Sequence, residues 1–179
     1  MTGRAFGSMA GAFASIMSNE HAAELSRSYL LSVILLTLVL PALSIVVECL
    51  TRGEQIRSPI LWGKWVIFWA VGVRLLTAGL RQVLNPSFTA RAIFNIEDHS
   101  SHAIVRELGF ANICFGATGI ISLFVPSWRV VSAFASGLFY GIAGISHIVK
   151  KPAGPNEVVA LASDIFLFAL LAAYLFMMI

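Results

Sequence analysis

Charge is what this sequence has least of. Asp, Glu, Lys and Arg make up 12% of its 179 residues, whereas hydrophobic residues make up 58%. Soluble domains average about a quarter charged and about half apolar, so an ordinary water-soluble fold is excluded. Its 12 Lys and Arg against 9 Asp and Glu leave a net charge of +3. These cations are scattered between apolar runs and form no basic stripe, which excludes a nucleic-acid partner; the excess reads as topological, facing anionic lipid. Cysteine is scarce too: Cys49 and Cys114 make neither a CxxC pair nor a disulfide framework. No GxSxG, Walker loop or HExxH occurs, and nothing marks a nucleophile.

Long apolar runs are abundant. A membrane span needs about 20 mostly apolar residues, because each rises about 1.5 Å through a core roughly 30 Å thick. Five segments qualify, at about 29–49, 60–84, 104–125, 128–149 and 158–179. The fold class is therefore all-α, an integral membrane bundle of five transmembrane helices in one domain over 29–179. Pro41 predicts a kink in the first span, and Trp62, Trp65 and Trp69 sit near the start of the second, where indoles favour the interface. Pro126 and Ser127 alone separate the third and fourth spans, which forces an antiparallel hairpin. No soluble domain is expected after the fifth. Residues 1–28 lack the apolar core of a cleaved signal peptide. Phe6, Met9, Phe13 and Ile16 recur there at helical spacing, so the segment reads as an interfacial amphipathic helix or a loose terminus. Residues 85–103 form the one sizeable loop and mix Phe88, Ile93, Phe94 and Ile96 with polar residues, as a segment hugging the membrane surface would.

Sorting cations by side puts Arg4, Arg27, Arg81, Arg91, Arg106, Lys150 and Lys151 against Arg52, Arg57, Lys64 and Arg129. Cations collect on the cytoplasmic side, so the expected topology is multi-pass in a bacterial inner membrane with a cytoplasmic N-terminus.

Charges inside a span cost about 2.5–3.5 kcal/mol at a helix centre and need a partner or a use. Alternating spans bring Arg74, about 12 Å before the end of the second, level with Asp164, about 10 Å after the start of the fifth. Asn112 and Tyr140 fall at similar depth, with Glu107 and His147 nearer the surface of the same side. Two readings of this layer stay open. Arg74 and Asp164 form a buried ion pair that fixes two helices, or the layer is the floor of a ligand pocket. In the second, Arg74 grips an anionic or carbonyl group and Tyr140 or Asn112 completes the hydrogen bonds.

Gly137, Gly141 and Gly144 in the fourth span, with Gly79, Gly116 and Gly119 in the second and third, have the small-residue spacing that lets helices approach closely. The bundle itself or a homo-oligomer would use them. Glu97, Asp98, His99 and His102 crowd the loop, yet a solvated polar loop has the same composition and no metal is assigned. His147 has no second axial histidine at matching depth in the spans, against a haem site. Glu48 reads as an interfacial ion pair with Lys64 and Arg52.

The run Arg74-Leu-Leu-Thr-Ala-Gly79-Leu-Arg-Gln, continuing through Asn85-Pro86, with Glu107-Leu-Gly109 and the Gly-rich third and fourth spans, resembles the DoxX-like membrane proteins. The likeness covers roughly 66–178 and leaves the first helix as an addition. It implies a small inner-membrane protein, often an accessory component of redox or quinone-linked systems, and no identified catalytic residue. The leading expectation is a non-enzymatic accessory or scaffold subunit binding a membrane-protein partner or lipid-like ligand, with quinone or bound lipid as the cofactor class. The alternatives are a quinone- or isoprenoid-linked redox enzyme, in which Asp164 or Glu107 handles protons, and a small oligomeric transporter or channel.

Overall fold

The computed structural model describes residues 25–94, 96–152 and 154–178. The 1–28 segment thus lies almost wholly outside the described residues, as does Ile179. Five helices long and apolar enough to cross a membrane make up the fold: α1 (Arg27–Arg52), α2 (Pro59–Leu84), α3 (Ser101–Phe124), α4 (Trp128–Lys150) and α5 (Pro155–Met178). Among the described residues there is no strand. The helices run up to three residues past the expected spans, because caps and polar end residues extend each helix beyond its apolar run. Their alternation defines two sides: a near side, where α1, α3 and α5 start, and a far side, where they end.

Local chemistry sets the ends. Ser26 caps α1 by accepting from the Tyr29 N–H at 3.4 Å, and its own N–H donates to Asn156 Oδ1 at 2.9 Å, tying α1 to the start of α5. Gly53 stops α1 in the left-handed conformation, φ +67, and donates to the Cys49 carbonyl at 3.0 Å. Pro59 opens α2 at a position where a missing N–H costs nothing. In the α3–α4 hairpin the buried Arg129 donates from Nε to the Ser122 carbonyl at 3.2 Å, covering an end of α3 that has run out of helical donors.

The Pro41 irregularity arrives as a π-helical turn, Leu35–Val39, in which the Leu40 N–H reaches back to Leu35 O. A second π turn, Ile67–Val73, interrupts α2. Such turns widen the helix by one residue and release carbonyls to other partners. Trp65 and Trp69 do more than sit at an interface: their indole N–H groups donate to Glu48 Oε2 at 2.7 Å and Ser44 Oγ at 2.9 Å, clasping α1 to α2. Glu48 is also held by Lys64 at 2.6 Å and, more loosely, by Arg52 at 3.7 Å, the far-side ion pair that the sequence suggests.

Helices α2 and α3 touch backbone to backbone. A Cβ on Gly79 would lie 2.6 Å from the Gly109 carbonyl oxygen, one on Gly119 would lie 2.5 Å from the Gly72 nitrogen, and one on Gly116 would strike the Leu76 backbone. The α4–α5 contact differs in kind. A Cβ on Gly141 meets the Phe168 ring at 2.8 Å and one on Gly144 meets the tip of Ile165 at 2.6 Å, whereas Gly137 has only ordinary contact with Leu171 at 3.5 Å. Side chains of α5 therefore lie in hollows of α4, and Gly137 is no close-approach point.

Between the two pairs, the far half is filled by an apolar cluster that includes Ile67, Val71, Ala133, Leu167 and Leu171, and a more open pocket of ≈ 540 Å³ lies beside it against Ser44, Glu48, Lys64, Trp65 and Trp69. Contact of α4 with α2 is concentrated on the π turn Ile67–Val73. Toward the near side the pairs part.

Candidate functional site: a near-side cavity in the bundle

The gap between the pairs is a cavity of ≈ 520 Å³, lined by all five helices and by the segment after α2. That segment, a short turn Pro86–Phe88 followed by a π turn Thr89–Ile93, buries Pro86, Thr89 and Ala90. Phe88, Thr89, Ile93 and Phe94 line the mouth of the cavity, so part of the segment packs against the bundle. Phe88 carries the Arg81 guanidinium 3.7 Å over its ring, and the Phe94 carbonyl accepts from Lys150 Nζ at 3.2 Å.

Arg74 is the floor. Its Nη2 donates to Ser163 Oγ at 2.7 Å and to Asp164 Oδ1 at 3.3 Å, and its guanidinium carbon sits 5.2 Å from the centre of the Tyr140 ring. Tyr140 in turn donates to the Ala70 carbonyl at 2.7 Å, a group inside the π turn of α2. The π turn thus gives Tyr140 its anchor, and Tyr140 gives Arg74 a face to rest on. The sequence expectation of an Arg74, Asp164 and Tyr140 convergence holds. Arg74 Nη1 makes no well-formed hydrogen bond among the described residues, although the Tyr29 and Tyr140 side chains both face the guanidinium.

Asn112 lines the same cavity but at another level. Its Nδ2 donates to Gln82 Oε1 at 2.7 Å, and its own Oδ1 is buried and unpartnered. The glycine register explains the offset: a Cβ on Gly79 would meet Ile113 N at 2.8 Å, so this stretch of α3 stands level with Gly79. Gly79 is five residues, about 8 Å, past Arg74 along α2. Counting residues from the helix ends put Asn112 level with Arg74; the observed register moves it toward the mouth.

His147 is buried in the wall near the mouth, its Nδ1 2.9 Å from Glu157 Oε1 and its ring stacked on Phe94. Lys150 Nζ reaches the same carboxylate oxygen at 3.5 Å. Glu107 does not join the layer: it is exposed and off the lining, because Val105, Gly109 and Asn112 define the inward face of α3 and position 107 points away from it. Sequence reasoning missed Gln82, Ser163 and Glu157. Gln82 continues the buried face of Leu75 and Gly79, a periodicity that could have found it. Glu157 looks like an ordinary first-turn acid, and Ser163 carries no signal of its own.

In the loop, Asp98 is occupied by Ser100, whose Oγ donates at 2.6 Å and whose N–H donates at 2.9 Å; these bonds hold the carboxyl below its ordinary pKa. His99 and His102 meet edge to face at 5.0 Å. Among the described residues no three of His, Cys, Asp and Glu gather as metal ligands would. Both cysteines are free, Cys114 exposed and Cys49 half-buried.

The fold and cavity define a class: a multi-pass membrane protein of five helices with an amphipathic cavity in one half of the bundle. Residues 9–179 match a family of unknown function (DUF6790), and the chain belongs to that family. No curated protein and no solved structure matches it.

Proposed function

We propose that this protein is a non-enzymatic inner-membrane component that holds a lipid-like amphiphile in the near-side cavity, on its own or as the accessory subunit of a membrane complex. The observation that carries this reading is a largely apolar cavity whose floor holds the Arg74 guanidinium, with one of its nitrogens, Nη1, making no well-formed hydrogen bond among the described residues. An unsatisfied buried donor costs free energy, and an oxygen-bearing headgroup would remove that cost. A cavity of ≈ 520 Å³ falls within the range of about 300–1,000 Å³ usual for small-molecule sites. The excess of Lys and Arg on the near side supports a cytoplasmic near face.

The likeness to DoxX-like proteins favours a second reading, a redox-linked role with an isoprenoid or quinone ligand. Glu157 and Asp164, one above the other on the cavity face of α5, would then pass protons inward. The Arg74 pairing of Asp164 weighs against this and keeps binding as the primary reading.

Native mass spectrometry of protein extracted gently from its own membrane, with the co-extracted lipids identified, tests the proposal. A retained amphiphile that is lost in Arg74→Gln is the expected result. Bare protein under every gentle condition would overturn it.

A further inference from the structure

The far-side pocket of ≈ 540 Å³ lies between α1, the first half of α2 and the end of α3. Leu40, Leu43, Val47 and Thr51 of α1 recur along it at three- and four-residue steps, so one face of that helix forms a wall; Trp65, Trp69 and Leu123 stand opposite. From Leu40 to Arg52 the wall rises about 18 Å, and its polar end is the end of α1. The hydrocarbon half of one leaflet is roughly 15 Å deep. The pocket is therefore a groove about one leaflet long, and it is open sideways, where Leu43 is 55% and Val47 49% exposed. Both indole N–H groups are taken, by Glu48 and by Ser44, so what Trp65 and Trp69 have left to offer a guest is ring carbon.

Charge selects the head of that guest. The lining carries Arg52, Lys64 and Glu48 at the surface end, and no histidine. Lys64 Nζ lies 2.7 and 2.6 Å from the two oxygens of Glu48, so these two charges cancel. Arg52 reaches Glu48 only at 3.7 Å, and 71% of its side chain is exposed. The loop beyond, 53–58, adds Glu54 and Arg57, one of each sign. The rim thus keeps one cation over, and it is the one whose donors are open to an incoming group. A guanidinium fork matches two oxygens of a phosphate. An ammonium head would find no carboxylate in the lining that Lys64 has not already paired.

We infer that this groove is a site for one anionic phospholipid of the far leaflet, with its phosphate on Arg52 and an acyl chain laid against Leu43, Val47, Trp69 and Leu123. The apolar length below the rim separates a lipid from a free phosphate, which would use Arg52 alone. The groove shares no lining residue with the near-side cavity, so the site stands whether or not an amphiphile is held there.

Two tryptophans make the groove self-reporting. With Trp62→Phe and Trp128→Phe in the full chain, Trp65 and Trp69 are the only ones left. Phosphatidylglycerol with brominated acyl chains, titrated into the delipidated protein in detergent, quenches the tryptophans that its chains touch. Saturable quenching is the expected result. Unlabelled phosphatidylglycerol should reverse it at about fivefold lower concentration than phosphatidylethanolamine of the same chains, the worth of one cation at the membrane surface. Glycerol 3-phosphate and inorganic phosphate should not reverse it. Arg52→Gln, a change at an exposed helix end, should remove the preference, and Val47→Phe, which fills the groove, should weaken both lipids alike. Arg74→Gln should leave the quenching unchanged.

Equal competition by the two lipids, or a preference that survives Arg52→Gln, would overturn the inference. So would an absence of quenching, as when a second copy of the chain covers the groove. Reversal by inorganic phosphate would mean an anion site that holds no chain, and quenching lost in Arg74→Gln would move the bound chain to the near-side cavity; either overturns the far-side lipid site and leaves the near-side reading standing.

Discussion

The far half and the near half of this bundle use the same five helices to opposite ends. On the far side, α1 and α2 satisfy each other's polar groups: Glu48 takes bonds from Lys64 and Trp65, and Trp69 donates to Ser44, beside a more open pocket of ≈ 540 Å³ that these residues line, and an apolar cluster of Ile67, Val71, Leu167 and Leu171 fills the centre. On the near side, the two helix pairs separate, and polar residues line the gap with two buried atoms left open. A half built for stability closes its hydrogen bonds, because an unmet polar group inside a membrane is expensive. The difference begins in the π turn of α2: it frees the Ala70 carbonyl for Tyr140, and from the next residue Arg74 faces the cavity.

The comparison depends first on the α2–α3 seam, which holds both halves in register. Gly119→Ala would put a methyl group 2.5 Å from the Gly72 nitrogen, where only backbone can move. The expected loss is about 3 kcal/mol or more, enough to lower the yield of folded protein sharply, and thermal melting in detergent would measure it. A melting temperature within a few degrees of the unmodified protein would show that the two backbones are not in contact.

Next comes the cavity floor. Arg74→Ala should cost about 3–5 kcal/mol, because it leaves the largely buried Asp164 without its cation, and the double variant Arg74→Ala with Asp164→Asn should recover much of that. Equal melting of the single and double variants would show that Arg74 and Asp164 do not act as a pair. On the far side Glu48→Gln should cost less, about 1–2 kcal/mol, since the amide oxygen still accepts from Lys64 or Trp65, so that no group is stranded as Asp164 would be, and Arg52 is exposed to solvent. A larger loss there than at Arg74 would reverse the ranking of the two halves.

How far these halves were legible in the sequence depended on the length of the signal. Span number and the α3–α4 hairpin follow from runs of twenty apolar residues, and Arg74 with Asp164 stood out because charge is so rare in a span. The α2–α3 register did not, since it rests on five glycines, of which Gly72 and Gly109 lie outside the spacings singled out beforehand. Without the register, Asn112 was put at the wrong depth and its partner Gln82 passed unseen. That Phe88, Thr89, Ile93 and Phe94 of the segment after α2 line the mouth was not legible, because their spacing has no fixed period and their contact with the bundle is a tertiary fact. Glu107 was grouped with the layer by depth alone, although its angular position on α3 turns it outward.

The smallest effect separates the two glycine seams from each other. Gly137 has the same spacing as Gly141 and Gly144, yet a methyl group there would rest 3.5 Å from Leu171 with nothing to displace. Alanine also loses less backbone freedom than glycine on entering a helix, worth up to about 1 kcal/mol in water. Gly137→Ala should therefore leave the melting temperature unchanged or raise it slightly, by the equivalent of about 0.5 kcal/mol. Gly141→Ala, pressed against the Phe168 ring at 2.8 Å, should lower it modestly, because a ring can shift where a backbone cannot. The same methyl group would then cost much at Gly119, little at Gly141 and nothing at Gly137. If Gly137→Ala proves as damaging as Gly119→Ala, α4 and α5 also meet backbone to backbone and the two seams are of one kind.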